Sequence, residues 1–571
     1  MPFLQFKGKT AVETYHYTVP HHTLAFDPAA SVLEAGRTPS LDGNVIIEGD
    51  NLRALKALLP THAGRVKCIY IDPPYNTGNE GWVYNDNLTQ PQFKEWIGQV
   101  VGKEGEDACR HDKWCCMMYP RLMLLKELLR EDGVIFVSIN DTEVFHLRLL
   151  MNEVFDDTNF VAQIVWHNAS RSSDYVAVEH EYVVVFARNK QKLEGPWKKE
   201  RLEIAHLLEV VQDAKDNGKA QTEALADLRK AVSVFLEEDK QRKSKTHAWL
   251  TNYINLDDNW RIYYPVDLSG EGSGPPRRFR GEEIPAPPGR HWMSQEYIDE
   301  LESDGRIVWR GDRAYRKLYI EETEEGLKSL LTFPGRRGSE ELKAIMGRDI
   351  FSNPKPVRLL KHLLSFSTGG NDIILDSFAG SGTTGQAVLE LNEEDGGNRK
   401  FVLVQQKYDS KDDEKKKLNI CRTITAERVR RVIAGQGIPA TGGAFTYARV
   451  SDAPLFGEYR DLGDPPPPYE DLAKYVFYTE TSRQWDPAGM DRATGRIGLQ
   501  GGTSYYLLYT PDGEANAALD LKWLRSVALA DPNAKLVVYC EKFWMHRDEL
   551  RRWEGDHRKS VRAMIVPFQL K

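Results

Sequence analysis

Short apolar runs alternate with leucine-spaced amphipathic stretches through two separate parts of the chain. In the first part, Val45-Ile46-Ile47, Val66 to Ile71 and Val134 to Ile139 are rich in β-branched residues and bounded by turn formers, so they read as buried strands. Helical spacing fills the gaps at Asn51 to Leu59, Tyr119 to Arg130 and Val144 to Phe155, and Phe160 to Trp166 and Tyr182 to Ala187 add strands. Alternation resumes with Asp372 to Asp376, Gly385 to Leu391 and Phe401 to Gln405. The pattern predicts a largely parallel sheet covered by helices on both faces.

Between the two parts the character changes. Residues 197 to 245 are charged, leucine-spaced and helical, and 246 to 350 mix aromatic, glycine and basic residues. The expected organisation is an arm over 1–43, a first core block over 44–189, an insert over 190–350, a second core block over 351–435 and a small α/β domain over 436–571. Asp464 to Tyr469 reads as a polyproline linker within the last of these.

At 571 residues the chain exceeds one ordinary core. It has no run of about 18 apolar residues and no signal-peptide core, so neither a membrane span nor export is expected. Six cysteines without a CxxC pair point to neither a zinc site nor a disulfide framework, which suits a reducing cytoplasm. The net charge of −8 argues only weakly against a whole-surface nucleic-acid binder, since phosphate binding needs no more than a local basic lining. Arg277, Arg278 and Arg280 form one such cluster, and Arg336 with Arg337 another. Interleaved with Trp260, Tyr263, Phe279 and Trp292, they mark a candidate DNA-contacting insert, with solvated surface loops as the alternative.

Candidate chemistry begins where the Val66 strand stops, at Asp72-Pro73-Pro74-Tyr75. Two prolines make a stiff turn without N–H donors, so the Asp72 carboxylate and the Pro73 carbonyl can accept from one –NH2 group. Tyr75 offers a flat face to a planar partner. The lone pair of a nucleobase amine is delocalised into its ring, and two acceptors on its hydrogens favour alkylation. A turn that only closes the strand is the bland alternative.

The second candidate is the glycine-rich turn Ser377-Phe378-Ala379-Gly380-Ser381-Gly382-Thr383-Thr384, which leaves a strand ending in Asp376. Glycine admits close backbone approach and the following helix presents N–H groups. No lysine follows Gly382, so this is not a Walker loop and ATP hydrolysis is not expected. An amino-acid-bearing nucleoside fits better, with a plain βα turn as the alternative.

With Asp72-Pro73-Pro74-Tyr75 ahead of Phe378-Ala379-Gly380-Ser381-Gly382, the chain resembles the β-class amino-DNA methyltransferases, and most of all the modification subunits of type III restriction-modification systems. Supporting matches are Ile47 to Leu52, Tyr75 to Gly78, Phe351 to Pro356 and Trp292 to Glu322. The resemblance implies a Rossmann-like, seven-stranded α/β methyltransferase sheet in permuted order, with a target-recognition insert between the motif blocks. By it, Asp72-Pro73-Pro74-Tyr75 is the catalytic motif, in which Asp72 and Pro73 hold the target amine and Tyr75 stacks on a base flipped from duplex DNA. Phe378, Gly380, Gly382 and Thr383 enclose S-adenosylmethionine with Asp376 nearby, Asp50 lies near its adenine, and Lys355 near its methionine end. The second strand of such sheets usually ends in an acid on the ribose hydroxyls, whereas here it ends in Gln405.

The sequence therefore predicts an adenine-N6 DNA methyltransferase that needs no metal, acting on double-stranded DNA. A separate helicase-nuclease restriction subunit and a homodimer are the partners the reading admits. Cytosine N4 as target, or a specificity component with a vestigial core, are the alternatives.

Overall fold

The computed structural model describes residues 4–77, 110–171, 175–242, 247–409, 411–455, 466–511 and 518–565. Among them, the largest sheet has ten strands: β1 (His22–Phe26), β2 (Val45–Glu48), β3 (Val66–Ile71), β4 (Leu129–Ile139), β5 (Phe160–Arg171), β6 (Val178–Ala187), β7 (Leu330–Thr332), β8 (Ile373–Asp376), β9 (Lys400–Gln405) and β10 (Thr446–Pro454). Their spatial order is β1-β10-β2-β9-β8-β3-β4-β6-β5-β7. The seven inner strands from β2 to β5 are parallel except for β6, which runs antiparallel to both of its neighbours.

Every residue of β3 is buried, as expected of a central parallel strand covered on both faces. Helices α1 (Asn51–His62), α2 (Arg110–Leu128) and α3 (Val144–Phe155) contribute Leu55, Leu58, Trp114, Leu122, Leu147 and Met151 to one continuous core with β3 and β4. Later in the chain come α4 (Arg336–Met346), α5 (Val357–Ser367) and α6 (Thr383–Asp395). The order β9-β8-β3 places strands of the second block beside those of the first, with Leu375 in register with Ile69. The ends of β3 and β8 thus become neighbours.

Three boundaries differ from those read in the sequence. Thr446–Pro454, assigned above to the C-terminal domain, pairs in parallel with β2 and extends the main sheet. The insert closes earlier than position 350, because β7 pairs with β5 and the compact inserted unit spans only Gly195–Leu327. Pro466 to Pro468 lead directly into helix Tyr469–Thr481, whose Tyr469 is buried, so this end of the proline run packs rather than links; Asp464 and Pro465 lie outside the described residues. That helix covers one face of a four-stranded sheet, Arg496–Gln500, Thr503–Leu508, Lys535–Cys540 and Ser560–Ile565.

The inserted unit has its own two cores. Helices Leu202–Asp216 and Gln221–Arg242 pack Leu207, Val211, Leu228 and Val232 against Leu250, Ile262 and Ile320. Phe279, Trp292 and Leu301 form the second core beside a four-stranded antiparallel sheet. Among the described residues no helix is long and apolar enough to cross a membrane.

Candidate functional site

Because β3, β8 and β9 run parallel and adjacent, the loops leaving their carboxyl ends converge on one cavity of about 700 Å³. This is where open α/β sheets bind ligands. Its lining includes Asp72, Pro73, Pro74, Tyr75, Lys355, Asp376, Phe378, Gly380, Thr383 and Gln405. The two motifs singled out in the sequence therefore share one space.

On the β3 side, Lys355 Nζ lies 2.9 Å from Asp72 Oδ2 and donates to the Tyr75 hydroxyl at 2.8 Å. The Tyr75 hydroxyl in turn donates to Glu181 at 2.9 Å, and Lys355 is 3.5 Å from the same acid. Burial lifts the Asp72 carboxyl above its ordinary range, opposed by the Lys355 ammonium. Burial works against the charge of Lys355, but Asp72 and Glu181 together hold its pKa above the ordinary lysine value. Asp72 Oδ1 is buried and has no hydrogen-bond partner among the described residues. Trp114 Nε1 donates to the Pro74 carbonyl at 2.7 Å and so anchors the loop to α2.

On the β8 side, Asp376 accepts from the Phe378 N–H at 3.0 Å and from the Thr384 hydroxyl. Burial pushes its pKa up to about 7. Gly380 and Gly382 take φ of 50° and 82°, conformations that disfavour any side chain. Arg428, wholly buried, donates to the Ser381 and Thr383 hydroxyls at 2.8 and 2.7 Å and holds the turn from behind. Desolvation lowers its pKa to about 10, still cationic at neutral pH.

Gln405 is committed within the protein: its Oε1 accepts from the Gly380 N–H at 2.7 Å and its Nε2 donates to Asp409 at 2.7 Å. Asp409 lines the cavity, and burial pushes its pKa up to about 6. An acid is thus present beside the glycine turn, four positions past the strand end. Asp409, Glu181 and Arg428 escaped the sequence reading because none belongs to a motif, and only the spacing of Asp409 from Gln405 could have flagged it.

Other expected residues lie elsewhere. Asp50 caps α1, accepting from the Arg53 N–H at 3.1 Å and lying 3.4 Å from Arg121, and it does not line the cavity. Arg277, Arg278 and Arg280 sit on the hairpin Arg277–Phe279/Glu282–Ile284 of the inserted unit, with Arg278 and Arg280 exposed. Arg336 and Arg337 are exposed on the first turn of α4, in the main unit, both near Glu340. The aromatic residues expected among these arginines are mostly core: Phe279 and Trp292 pack edge to face and Tyr263 is buried, so their role is structural. Gly78, from the family match, lies outside the described residues.

Fold and site define an α/β methyltransferase: a seven-strand inner sheet with one antiparallel member, and an acid-Pro-Pro-Tyr turn facing a glycine turn. The chain belongs to the DNA methylase family, whose model matches residues 66–416. It is 30% identical over 449 residues to the type III restriction-modification enzyme EcoP15I Mod subunit of Escherichia coli, covering 75% of this chain and 68% of that one. To the EcoPI Mod subunit of Escherichia phage P1 it is 31% identical, covering 70% and 63%. To the StyLTI Mod subunit of Salmonella typhimurium it is 30% identical, covering 68% and 57%. The chain thus spans about three fifths to two thirds of the length of these relatives. Among solved structures it is similar to an M1.HpyAVI–SAM complex, with 13% identity, a TM-score of 0.28, and coverage of 66% of this chain and 99% of that one.

Proposed function

We propose that this chain transfers a methyl group from S-adenosylmethionine to adenine N6 at a specific site in duplex DNA, as the modification subunit of a restriction-modification system. The observation that carries the proposal is the shared cavity, which Asp72, with a buried acceptor oxygen unpaired among the described residues, lines together with Gly380 of the glycine turn.

The residues present fit the cofactor. Gly380 leaves room for close approach, Asp409 offers a carboxylate to vicinal hydroxyls, and Phe378, Leu418, Ile420 and Ile424 supply an apolar wall for a purine. When bound, the cofactor supplies an electrophilic methyl on a sulfonium. Asp72 and the Pro73 carbonyl accept from the target amine and hold its nitrogen for in-line attack, a contribution of positioning and electrostatics. Tyr75 presents its ring to the extruded base. The Lys355 ammonium opposes the effect of burial and favours the ionised form of Asp72, which can take the proton the amine sheds on methylation.

A leading Asp rather than Ser in the motif favours adenine by resemblance, and cytosine N4 is the second reading, since the same grip serves either amine. Asp409 weakens the vestigial reading that Gln405 had motivated. The restriction partner is inferred from the relatives, and co-purification of a co-expressed ATP-dependent nuclease subunit tests it. For the activity itself, the chain is expressed alone in a methylation-free host and the DNA sequenced by a modification-sensitive long-read method. Methyladenine in one short context is expected; an unmodified genome with folded protein present would overturn the proposal.

A further inference from the structure

Beyond the cavity, the carboxyl end of the Asp72-Pro73-Pro74-Tyr75 turn is tied to a second polar cluster that the reaction as described does not use. Asn76, the residue after Tyr75, is buried and holds a left-handed φ of 59°. Its side-chain amide donates to Glu143 Oε1 and, at 3.3 Å, to the Arg110 carbonyl. Glu143 immediately precedes α3 and its side chain has no solvent exposure. His111, on the first turn of α2, places Nδ1 2.7 Å from the same Oε1, and His146 places Nδ1 2.8 Å from Oε2.

A fully buried carboxylate is costly unless its oxygens are engaged. Here Oε1 is engaged by the loop that carries the catalytic motif and by His111 at the start of α2. A positive φ on a residue other than glycine is a strained choice that neighbours must over-determine. The hydrogen bonds of the Asn76 amide to Glu143 and to the Arg110 carbonyl are the contacts that do so.

We propose that Glu143 is a positioning residue for methyl transfer: through Asn76 it fixes the path of the chain leaving Tyr75, and so the placement of Asp72, Pro73 and Tyr75, without touching substrate. His111 is the hydrogen-bonding group that holds Glu143 in place, and His146 lies beside Oε2. The inference rests on the methyltransferase reading above. Two histidines and a glutamate in one cluster could also ligate a cation. The proposal commits instead to hydrogen bonding, because Glu143 Oε1 is in direct hydrogen-bond contact with both the Asn76 amide and His111 Nδ1, the latter at 2.7 Å.

The test is steady-state methylation with separate measurement of cofactor and DNA affinity for Glu143→Ala, Glu143→Gln and Asn76→Gly. Asn76→Gly removes the side chain while tolerating the positive φ, so it keeps the test open where Glu143→Ala does not fold. The expected result is a kcat loss of about 100-fold in Glu143→Ala and Asn76→Gly, with both affinities within about threefold of the parent. Glu143→Gln, which keeps an acceptor for Asn76, should recover kcat to within about tenfold, and Asn76→Gly/Glu143→Ala should be no slower than the slower single variant. Parental kcat in a folded Glu143→Ala or Asn76→Gly variant, strictly additive losses, or one equivalent of metal that departs with Glu143→Ala would each overturn the inference. An inactive parent would instead count against the methyltransferase reading, which separates the two failures.

Discussion

Lys355 Nζ lies 2.9 Å from Asp72 Oδ2, a pair closed by the tertiary structure between the lysine preceding α5 and the acid ending β3. The side chains are 11% and 26% exposed, so neither charge is well solvated alone. Replacing Lys355 by Ala leaves Asp72 and Glu181 without their shared cation, and removing one partner of a buried pair costs about 3 kcal/mol or more. Urea unfolding should show that loss, while Lys355→Arg, which retains the charge, should lose less.

Asp72→Ala is expected to abolish methyl transfer while leaving DNA affinity within a few-fold of the parent, because in the proposed reaction its carboxylate acts on the amine and not on the phosphate backbone. Single-turnover methylation with a parallel binding titration distinguishes this from a general loss of DNA engagement.

As the proposed acceptor for the cofactor's hydroxyls, Asp409 should make cofactor affinity dependent on pH. Its pKa is raised by burial to about 6, so it is an acceptor above that pH and protonates as pH falls through it. Calorimetric titration should show affinity weakening below about pH 6. In Asp409→Asn the affinity should be lower, by about tenfold at pH 8, and its pH dependence flatter, as expected for loss of charge-assisted hydrogen bonds.

Gly382 tests the cofactor turn. A Cβ there would meet the Thr425 carbonyl at 3.0 Å at a φ of 82°. Gly382→Ala should lower thermal stability by at least about 1 kcal/mol and weaken cofactor binding, readable in the same titration.

Neutralising Arg277, Arg278 and Arg280 together should weaken DNA binding and flatten its salt dependence, with thermal stability kept because these side chains lie outside the unit's apolar core. Arg336 and Arg337 share Glu340, so their removal should change the salt slope less. An unchanged slope for the first set would remove it from the interface.

The sequence by itself determined the alternation of strands and helices, the identity of both motif loops and the existence of an insert, because hydrophobic period, Pro-Pro stiffness and glycine turns are local signals. It could not place Thr446–Pro454 in the main sheet, since a strand's partner is not encoded in its own period. Nor could it separate Phe279 and Trp292, which are core, from surface aromatics beside the same arginines, because their burial depends on packing against Leu268 and Leu301. The site divides in the same way. Asp72, Tyr75 and the glycine turn announced themselves, whereas Glu181, Asp409, Arg428 and the Asn76–Glu143 tie arise only when parallel strands bring distant chain segments to one sheet edge. Lys355 was legible as a residue, but its pairing with Asp72 was not. That pairing depends on β8 and β9 inserting between β2 and β3, a choice of strand order that only the tertiary structure makes.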